Sequence, residues 1–468
     1  MMKKTTLLLV TLFLIFSVTA IHAQKDEFKP HVDLGGTLYT GWNDNLSNNN
    51  LISSFDTTQA NNGALYGYNP KTNSFEVSQN SFFVERAYIN ILAYLAPNIK
   101  GRITPDIVQI PGSTTAYALE LKYAWVDWTA FKQTSGLSLD FTMGIIPNRW
   151  ISTAEKYWGY RGIAKTLTDY SYLYSVSVGS KTASGKPLTL STSTNSYFSS
   201  ADLGLEANLN LPKGYGELYL NVLNGNGYKN LGYDNRFKDL MGTLFLHPLA
   251  ANINKKMDAA KKNGKDRING LADLTLGGFL YLGHLTFGEI GFYNLDGTTG
   301  YPTASTQYIR NRFGGMASAR YNFKNAGFVK IGGEFSVEQN QDPGKTIASP
   351  TADTTLKYTA TGLSVYLEFN PPVKQLQEKL SIIARYDMFN PKVPTPNPAN
   401  ETQAYPIWDN VNDKQSLLIL GLAYKPVKVC TFALSYQGTT YQQPIIVKRD
   451  GTTSKSSSRL IVHGILEF

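Results

Sequence analysis

The chain of 468 residues contains 40 glycines, 29 tyrosines and 23 phenylalanines and carries a formal net charge of +9. Turn-forming glycine and β-forming aromatic residues in these numbers indicate many strands. The mean hydropathy of −0.23, with no run of about eighteen apolar residues beyond the N-terminal region, excludes a helical membrane protein. The single cysteine, Cys430, excludes a disulfide framework and a cysteine-based metal or redox motif.

The N-terminal segment has the features of an export signal. Lys3 and Lys4 form a basic region, residues 7–18 form an apolar region, and small residues follow up to Ala23. This pattern predicts a secretory signal peptide over residues 1–23 and a mature chain over residues 24–468. Ala23 occupies the place of a lipid-modifiable cysteine, so no lipid anchor is expected.

Beyond the signal, apolar and polar residues alternate in about sixteen segments. The predicted strands are 32–42, 82–95, 99–109, 117–130, 137–146, 202–211, 217–223, 239–249, 271–282, 310–323, 328–338, 359–370, 379–389, 415–425, 429–438 and 458–468. Alternation of this kind without spanning helices predicts an all-β fold, a single closed antiparallel transmembrane β-barrel. Counts of fourteen or eighteen strands remain compatible with these boundaries.

The last segment alternates most clearly. Leu460, Val462, Gly464, Leu466 and Phe468 share one face, and Ile461, His463, Ile465 and Glu467 share the other. A terminal strand of about ten residues that ends on an aromatic residue is typical of a transmembrane barrel. We expect this strand to pair with the segment that begins at Val32 and so to close the barrel.

The connections between the segments alternate in length. The short ones are 97–98, 131–136, 212–216, 324–327, 371–378 and 426–428, and the long ones are 43–80, 147–200, 284–308, 339–358, 390–414 and 439–457. This parity is typical of short periplasmic turns and long extracellular loops. The basic connection 250–267 is long where a short turn is expected. It indicates either a periplasmic insertion or a miscounted strand.

Several short motifs resemble the phosphate-selective porin O/P-like family of outer-membrane porins, particularly its Bacteroidetes members. They are residues 83–89 (FVERAYI), 124–128 (AWVDW) with 141–147 (FTMGIIP), 158–163 (WGYRGI) with Asp169, 202–205 (DLGL) leading to 219–225 (YLNVLNG), 384–387 (ARYD), and Phe468. The resemblance implies a porin in the outer membrane of a Gram-negative bacterium, assembled as a homotrimer. It also implies that Leu466 and Phe468 form the signal that the barrel assembly machinery reads. Phosphate selectivity does not transfer, because no ladder of lysines and arginines can be matched residue by residue.

For a porin, the side chains that face the lumen act as the filter. Residues 147–170, within the long loop 147–200, are either a constriction folded into the pore or a cap over its mouth. The candidate pore-lining or constriction residues are Arg86, Arg102, Lys122, Arg149, Lys156, Arg161, Lys165, Arg310, Arg312, Arg320, Lys330 and Arg385. Acidic residues share the same faces of the strands, namely Asp106, Glu120, Glu206, Glu334 and Glu368. This mixture predicts passive diffusion of small hydrophilic solutes with a modest anion preference.

Other classes of function fit less well. The four histidines after the signal are scattered, and neither a Gly-x-Ser-x-Gly nor a His-Glu-x-x-His motif occurs, so no enzymatic activity and no cofactor or metal are expected. Export makes nucleic acid an improbable partner for the basic run at 255–267. The stronger alternative is a barrel-anchored surface adhesin or glycan-binding protein that uses loop tyrosines such as Tyr170, Tyr172 and Tyr174. Outer-membrane lipid is an expected partner for either function.

Overall fold

The computed structural model describes most of residues 24–468. The described residues are 28–46, 49–50, 68–69, 74–75, 80–108, 117–170, 172–178, 190–195, 197–229, 238–264, 267–287, 306–344, 354–376, 378–391, 414–442, 446–448 and 453–468. The predicted signal peptide, residues 1–23, lies outside them.

Sixteen antiparallel strands form one closed barrel, which confirms the predicted fold class and strand number. In chain order the strands are β1 (His31–Asn45), β2 (Asn80–Ala96), β3 (Ile99–Val108), β4 (Ala118–Lys132), β5 (Ser138–Pro147), β6 (Ala201–Asn210), β7 (Gly216–Leu223), β8 (Asp239–Leu246), β9 (Gly270–Leu282), β10 (Thr306–Asn322), β11 (Phe328–Gly344), β12 (Thr354–Asn370), β13 (Leu380–Asn390), β14 (Gln415–Val427), β15 (Cys430–Tyr441) and β16 (Ser456–Glu467). Among the described residues two α-helices interrupt this pattern, α1 (Arg149–Trp158) and α2 (Ala250–Lys262). Short extended pieces outside the main strands are Asn49–Asn50, Tyr68–Asn69, Ser74–Phe75, Tyr172–Val178, Leu190–Asn195, His284–Phe287, Ile446–Lys448 and Thr453–Ser454.

The barrel closes between its last and first strands, as the sequence predicts. β16 pairs antiparallel with β1, in a register that places Thr37 opposite Glu467 and Asn45 opposite Arg459. Beyond the last pair of that register, the backbone of Phe468 exchanges two hydrogen bonds with Gly36, of 2.7 and 3.0 Å. Closure leaves neither strand with an unpaired edge along this seam, which a barrel in lipid requires.

The strands place apolar side chains outward and polar side chains inward. On β11, Ile331 and Phe335 are 60% and 49% exposed, whereas Glu334 between them is buried. On β16, Val462 is exposed and His463 is buried. A closed barrel with this pattern is the arrangement of barrels that cross a bilayer. None of the helices among the described residues is long and apolar enough to cross one.

Several strands continue beyond their predicted ends. β11 and β12 remain paired as far as Gly344 and Thr354, although the sequence pattern ends them at 338 and 359. The added residues are mostly polar, so the alternation of apolar side chains no longer marks them. Backbone hydrogen bonds do not depend on side-chain polarity, and the ladder therefore extends past the apolar band.

Most connections keep the predicted alternation of short and long, which distinguishes a short-turn end and a long-loop end of the barrel. The exception is the connection predicted at 339–358, which the longer β11 and β12 reduce to 345–353. The basic connection between β8 and β9 lies at the short-turn end and contains α2. Of the two interpretations of this segment, the structure supports an insertion, because the strands before and after it pair directly with one another. Four of the five half-buried residues of α2, Ala250, Ile253, Met257 and Ala260, lie on one side of the helix, and Ala251 is the fifth.

Candidate pore constriction

Residues 148–170 leave β5 at the long-loop end and enter the barrel. Asn148 caps α1, because its side-chain oxygen accepts a hydrogen bond of 3.2 Å from the Ile151 amide. Gly159 ends the helix in the left-handed conformation with φ of 79°. The helix buries Trp150, Ile151, Ala154, Tyr157 and Trp158. We call residues 148–170 the inserted segment.

Two glutamates of the barrel wall hold the inserted segment inside the lumen. Glu334 on β11 accepts hydrogen bonds from the Trp150 indole at 3.1 Å and from the Leu167 amide at 2.7 Å. Glu368 on β12 accepts a hydrogen bond from the Tyr160 hydroxyl and pairs with Lys330 at 2.7 Å. Glu368 lies two residues before the end of β12 at the short-turn end. The segment therefore penetrates deep into the barrel and is not a cap over its mouth.

Further contacts join the inserted segment to most of the circumference. Tyr157 bonds Thr275 on β9 at 2.6 Å, and the amide of Gln437 on β15 donates to the Ile163 carbonyl at 2.9 Å. Trp150 packs against Phe245 on β8 and Phe279 on β9, with ring centroids 5.9 and 4.5 Å away. These contacts fix the segment against β8, β9, β11, β12 and β15, because aromatic rings and satisfied polar groups in one cluster resist displacement.

The opposite wall is left open. Between residues 149–167 and strands β3 and β4, no hydrogen bond or ion pair occurs in the part of the chain that the structure describes. The remaining passage therefore runs along β3 and β4, since Arg161 already joins the inserted segment to Glu85 on β2.

Three basic side chains lie on the inner side of this wall, and of these Lys122 is buried at 6% exposure. Arg86 on β2 pairs with Asp106 at 2.9 Å. Arg102 on β3 lies over the Tyr123 ring at 4.7 Å, and its guanidinium bonds Asn90 at 2.6 Å. Lys122 on β4 donates a 2.9 Å hydrogen bond to the Tyr88 hydroxyl.

Two β-bulges place charged residues at this wall. The register of β3 with β4 passes from the pair Thr104–Tyr123 to the pair Pro105–Leu121, so Lys122 is the extra residue. The register of β1 with β2 shifts in the same way around Glu85. A bulge redirects the side chain of its extra residue. Sequence alternation alone contains no signal for either bulge.

The inserted segment contributes three more cations, each with a carboxylate partner. Arg149 bonds Glu206 on β6 at 2.9 Å, and Lys165 lies 3.6 Å from Asp169. Arg161 contacts Glu155 at 2.7 Å and also Glu85 at 3.3 Å. Burial lowers the pKa of Lys165, an effect that Asp169 opposes and Arg161 reinforces. Burial likewise raises the pKa of the Glu155 carboxyl, against the effect of Arg161.

The wall and the segment thus bring together half of the basic residues that the sequence proposes, namely Arg86, Arg102, Lys122, Arg149, Arg161 and Lys165. The other six lie elsewhere. Lys330 and Arg385 lie under the inserted segment, where Lys330 bonds the Trp158 carbonyl and Arg385 lies 5.2 Å from the Trp158 ring. Arg312 pairs with Glu338, Arg320 pairs with Glu378 at the short-turn end, Lys156 is exposed on α1, and Arg310 lies near the long-loop end of β10.

The sequence analysis missed a second segment that folds over the lumen, between β7 and β8. Residues 224–229, which we call the strap, are fastened where the Gly225 amide donates to Asp202 at 2.9 Å. From there the strap reaches β4, where Lys229 bonds Glu120 at 3.0 Å. Gly225 and Gly227, both with positive φ, permit this turn. Those glycines are the only sequence signal for it.

No protein-family model and no curated protein sequence matches the chain, so the resemblance to the phosphate-selective porin O/P-like family is not confirmed. Solved structures do match. The anion-selective porin from Comamonas acidovorans is 9% identical with a TM-score of 0.48, over 94% of this chain and 100% of that chain. The outer membrane channel DcaP of Acinetobacter baumannii is 10% identical with a TM-score of 0.48, over 96% and 100%. OprB of Pseudomonas putida is 10% identical with a TM-score of 0.49, over 93% and 94%.

Proposed function

We propose that the chain is an outer-membrane porin of a Gram-negative bacterium, through which small hydrophilic solutes diffuse with a modest anion preference. In this proposal residues 1–23 are a cleaved signal peptide and residues 24–468 form the porin domain. The exposed apolar side chains on the outside of the closed barrel support its place in a bilayer. The short-turn end then faces the periplasm.

The barrel width and the inserted segment support a channel. Barrels of about sixteen strands enclose an aqueous lumen too wide for wall side chains to fill. The inserted segment fills the side next to β8, β9, β11, β12 and β15 and leaves the side next to β3 and β4, where polar and charged side chains meet. An inward loop of this kind sets pore diameter and field.

The observation that supports the anion preference is that two cations on the wall of the passage have no carboxylate in contact. Among the described residues, neither Arg102 nor Lys122 has a carboxylate within 4.0 Å, whereas Arg86, Arg149, Arg161 and Lys165 each have one. Positive charge on a pore wall that has no carboxylate in direct contact attracts anions. With only two such groups, we propose a modest preference and not a tight phosphate site.

Reversal potentials in planar bilayers test this proposal. Under a potassium chloride gradient we expect the wild-type channel to favour chloride. The double variant Arg102→Gln/Lys122→Gln should lower the chloride-to-potassium permeability ratio by about twofold, because both uncompensated charges are removed. Arg320→Gln, which removes an arginine paired with Glu378 at the short-turn end, should leave the ratio nearly unchanged.

Two results would contradict the proposal. A wild-type channel that prefers potassium would contradict the anion preference. A folded barrel that gives no conductance steps would contradict the porin and favour the surface adhesin or glycan-binding protein. The homotrimer is likewise part of this proposal, since the sequence resemblance implies it, and chemical cross-linking in membranes would test it.

A further inference from the structure

A chamber lies beside the constriction toward the long-loop end. Its volume is about 390 Å³, and three pieces of chain enclose it with the barrel wall: the start of the inserted segment, residues 197–200, and the strap. A water molecule occupies roughly 30 Å³ of liquid, so the chamber has room for about a dozen waters. This volume is larger than an inorganic anion requires and falls at the lower end of the size range of small-molecule sites.

Five cations line the chamber: Arg86, Arg149, Lys165, Lys229 and Arg312. Their carboxylate partners lie mostly behind them. The side chains of Arg86 and Arg149 are 14% and 26% exposed, whereas those of their partners Asp106 and Glu206 are fully buried. Two carboxylates, Asp169 and Asp202, also line the chamber, but its five cations outnumber them, so a solute there meets an excess of N–H donors.

The buried carboxylates limit how much negative charge the chamber can accept. Each lining cation already has an acidic partner, so the field inside is weaker than five unpaired cations would create. Guanidinium groups nevertheless retain N–H donors after binding one carboxylate, because each carries five. This combination suits a solute with one negative charge better than a multiply charged one.

The rest of the lining is mixed: Ile146, Phe198, Leu223 and Met241 are apolar, and the polar side chains are suited to hydroxyl groups. Ser199 and Ser200 carry hydroxyls, Asn148 and Asn226 carry amides, and Tyr228 carries a phenol. Such groups can both donate and accept hydrogen bonds. A solute with several hydroxyls would therefore find more partners here than a simple carboxylate of similar charge.

Lys229 connects the chamber to the strap. Its side chain is 48% exposed, more than the other lining cations that form ion pairs, and it pairs with Glu120 on β4 at 2.8 Å. An exposed ion pair of this kind contributes little to stability and exchanges partners readily. Lys229 can therefore bind a carboxylate in the chamber with little cost to the fold.

We infer that this chamber is a binding site for hydroxylated organic monoanions of the sugar-acid class, which the channel takes up selectively. The inference rests on the proposed porin function, since it names the solute of the same pore. The chamber holds such a solute between the arginines of the wall and the strap before it passes the constriction.

Current blockade by gluconate tests the inference. Wild-type channels in planar bilayers with chloride as the carrier ion should show resolved blocking events when gluconate is added. Glucose has the hydroxyls without the charge, acetate has the charge without the hydroxyls, and inorganic phosphate is small and more highly charged. We expect an apparent affinity for gluconate about tenfold above that for each of these three, because each lacks part of the match.

Variants at two lysines of similar exposure test whether the blockade by gluconate arises in the chamber. Lys229→Gln should weaken gluconate blockade about tenfold, because one charge-assisted hydrogen bond is lost. Lys100→Gln is the control, since Lys100 is 45% exposed and pairs with Asp127 at 3.0 Å but does not line the chamber. Its blockade should equal that of the wild type.

Several outcomes would overturn the inference while leaving the porin intact. These are chloride conductance without gluconate blockade, equal blockade by gluconate and any of the three other solutes, or equal weakening by both lysine variants. If bilayers show no channel, the proposed function fails instead. Calorimetric titration of the folded barrel in detergent with gluconate then tests the binding site independently of conductance. The absence of a heat of binding would overturn the inferred site.

Discussion

Replacement of residues 149–199 by a short turn is expected to raise the single-channel conductance several-fold and to remove most ion selectivity. The barrel should still form, because the ends of this connection already meet: the Asn148 amide donates to the Ser200 carbonyl at 3.0 Å, and Pro147 pairs with Ala201. Without the inserted segment the lumen keeps only its wall side chains, which do not fill a barrel of this width. Conductance in planar bilayers measures the change directly.

Two point variants test how the anchoring of the inserted segment affects conductance when the segment itself is kept. Glu334→Ala removes the acceptor of both the Trp150 indole and the Leu167 amide, which leaves two buried donors unsatisfied at a cost of about 1–3 kcal/mol each. We expect noisy, intermediate conductance as the segment moves. Glu217→Ala is the control, since Glu217 on β7 bonds His247 and forms no hydrogen bond with the inserted segment among the described residues. Unchanged, quiet conductance in both the deletion and Glu334→Ala would mean that residues 149–199 do not constrict the pore.

The alternation of apolar and polar residues along a strand follows from backbone geometry alone. For that reason the sequence was sufficient to predict the barrel. Successive side chains point to opposite faces, so Val462 outside and His463 inside follow directly from the order of residues. The predicted signal peptide and the alternation of short and long connections then favoured a membrane barrel over a soluble sheet. The predicted pairing of the last strand with the first is confirmed for the same reason, because a closed barrel leaves no other partner for either strand.

Alternation does not distinguish the parts of the lumen from one another. Lys330 and Arg102 both point inward, but Lys330 lies under the inserted segment with Glu368, whereas Arg102 faces the passage. That difference depends on which wall the inserted segment packs against. The choice of wall comes from tertiary contacts such as Trp150 with Glu334, between residues 184 positions apart. The bulge at Lys122 is equally tertiary in origin, since a bulge is a property of two paired strands.

The position of the strap, like the packing of the inserted segment, depends on long-range contacts that the sequence pattern does not reveal. Residues 224–229 contain an Asn-Gly-Asn-Gly run, which predicts a turn and nothing about its direction. Its position depends on the Asp202 carboxylate, which accepts from the Gly225 amide, and on Glu120, which pairs with Lys229 three strands away. Short-range turn chemistry was readable from the sequence, and the long-range partners that orient the turn were not.

Deletion of Phe468 is expected to reduce the amount of folded barrel in the outer membrane by roughly tenfold. Phe468 forms two backbone hydrogen bonds with Gly36 at the closing seam, and its ring lies against Gly36 so closely that a Cβ there would be 2.5 Å from the ring. The side chain is 79% exposed and points outward, where a factor that binds the end of the strand can contact it. The loss of two hydrogen bonds costs only about 1–3 kcal/mol in total. The larger expected effect therefore comes from lost recognition during assembly.

Heat-modifiable migration on gels measures the amount of folded barrel in membranes. Refolding from urea into detergent then distinguishes a loss of stability from a loss of recognition during assembly. If recognition is decisive, the deletion variant should refold in detergent nearly as the wild type does and still fail in cells. Phe468→Tyr, which keeps an aromatic ring and the backbone contacts, should assemble normally. Phe468→Ala keeps the backbone hydrogen bonds alone and should resemble the deletion in cells. Normal levels of folded barrel for both the deletion and Phe468→Ala would show that the terminal aromatic residue has no role in assembly.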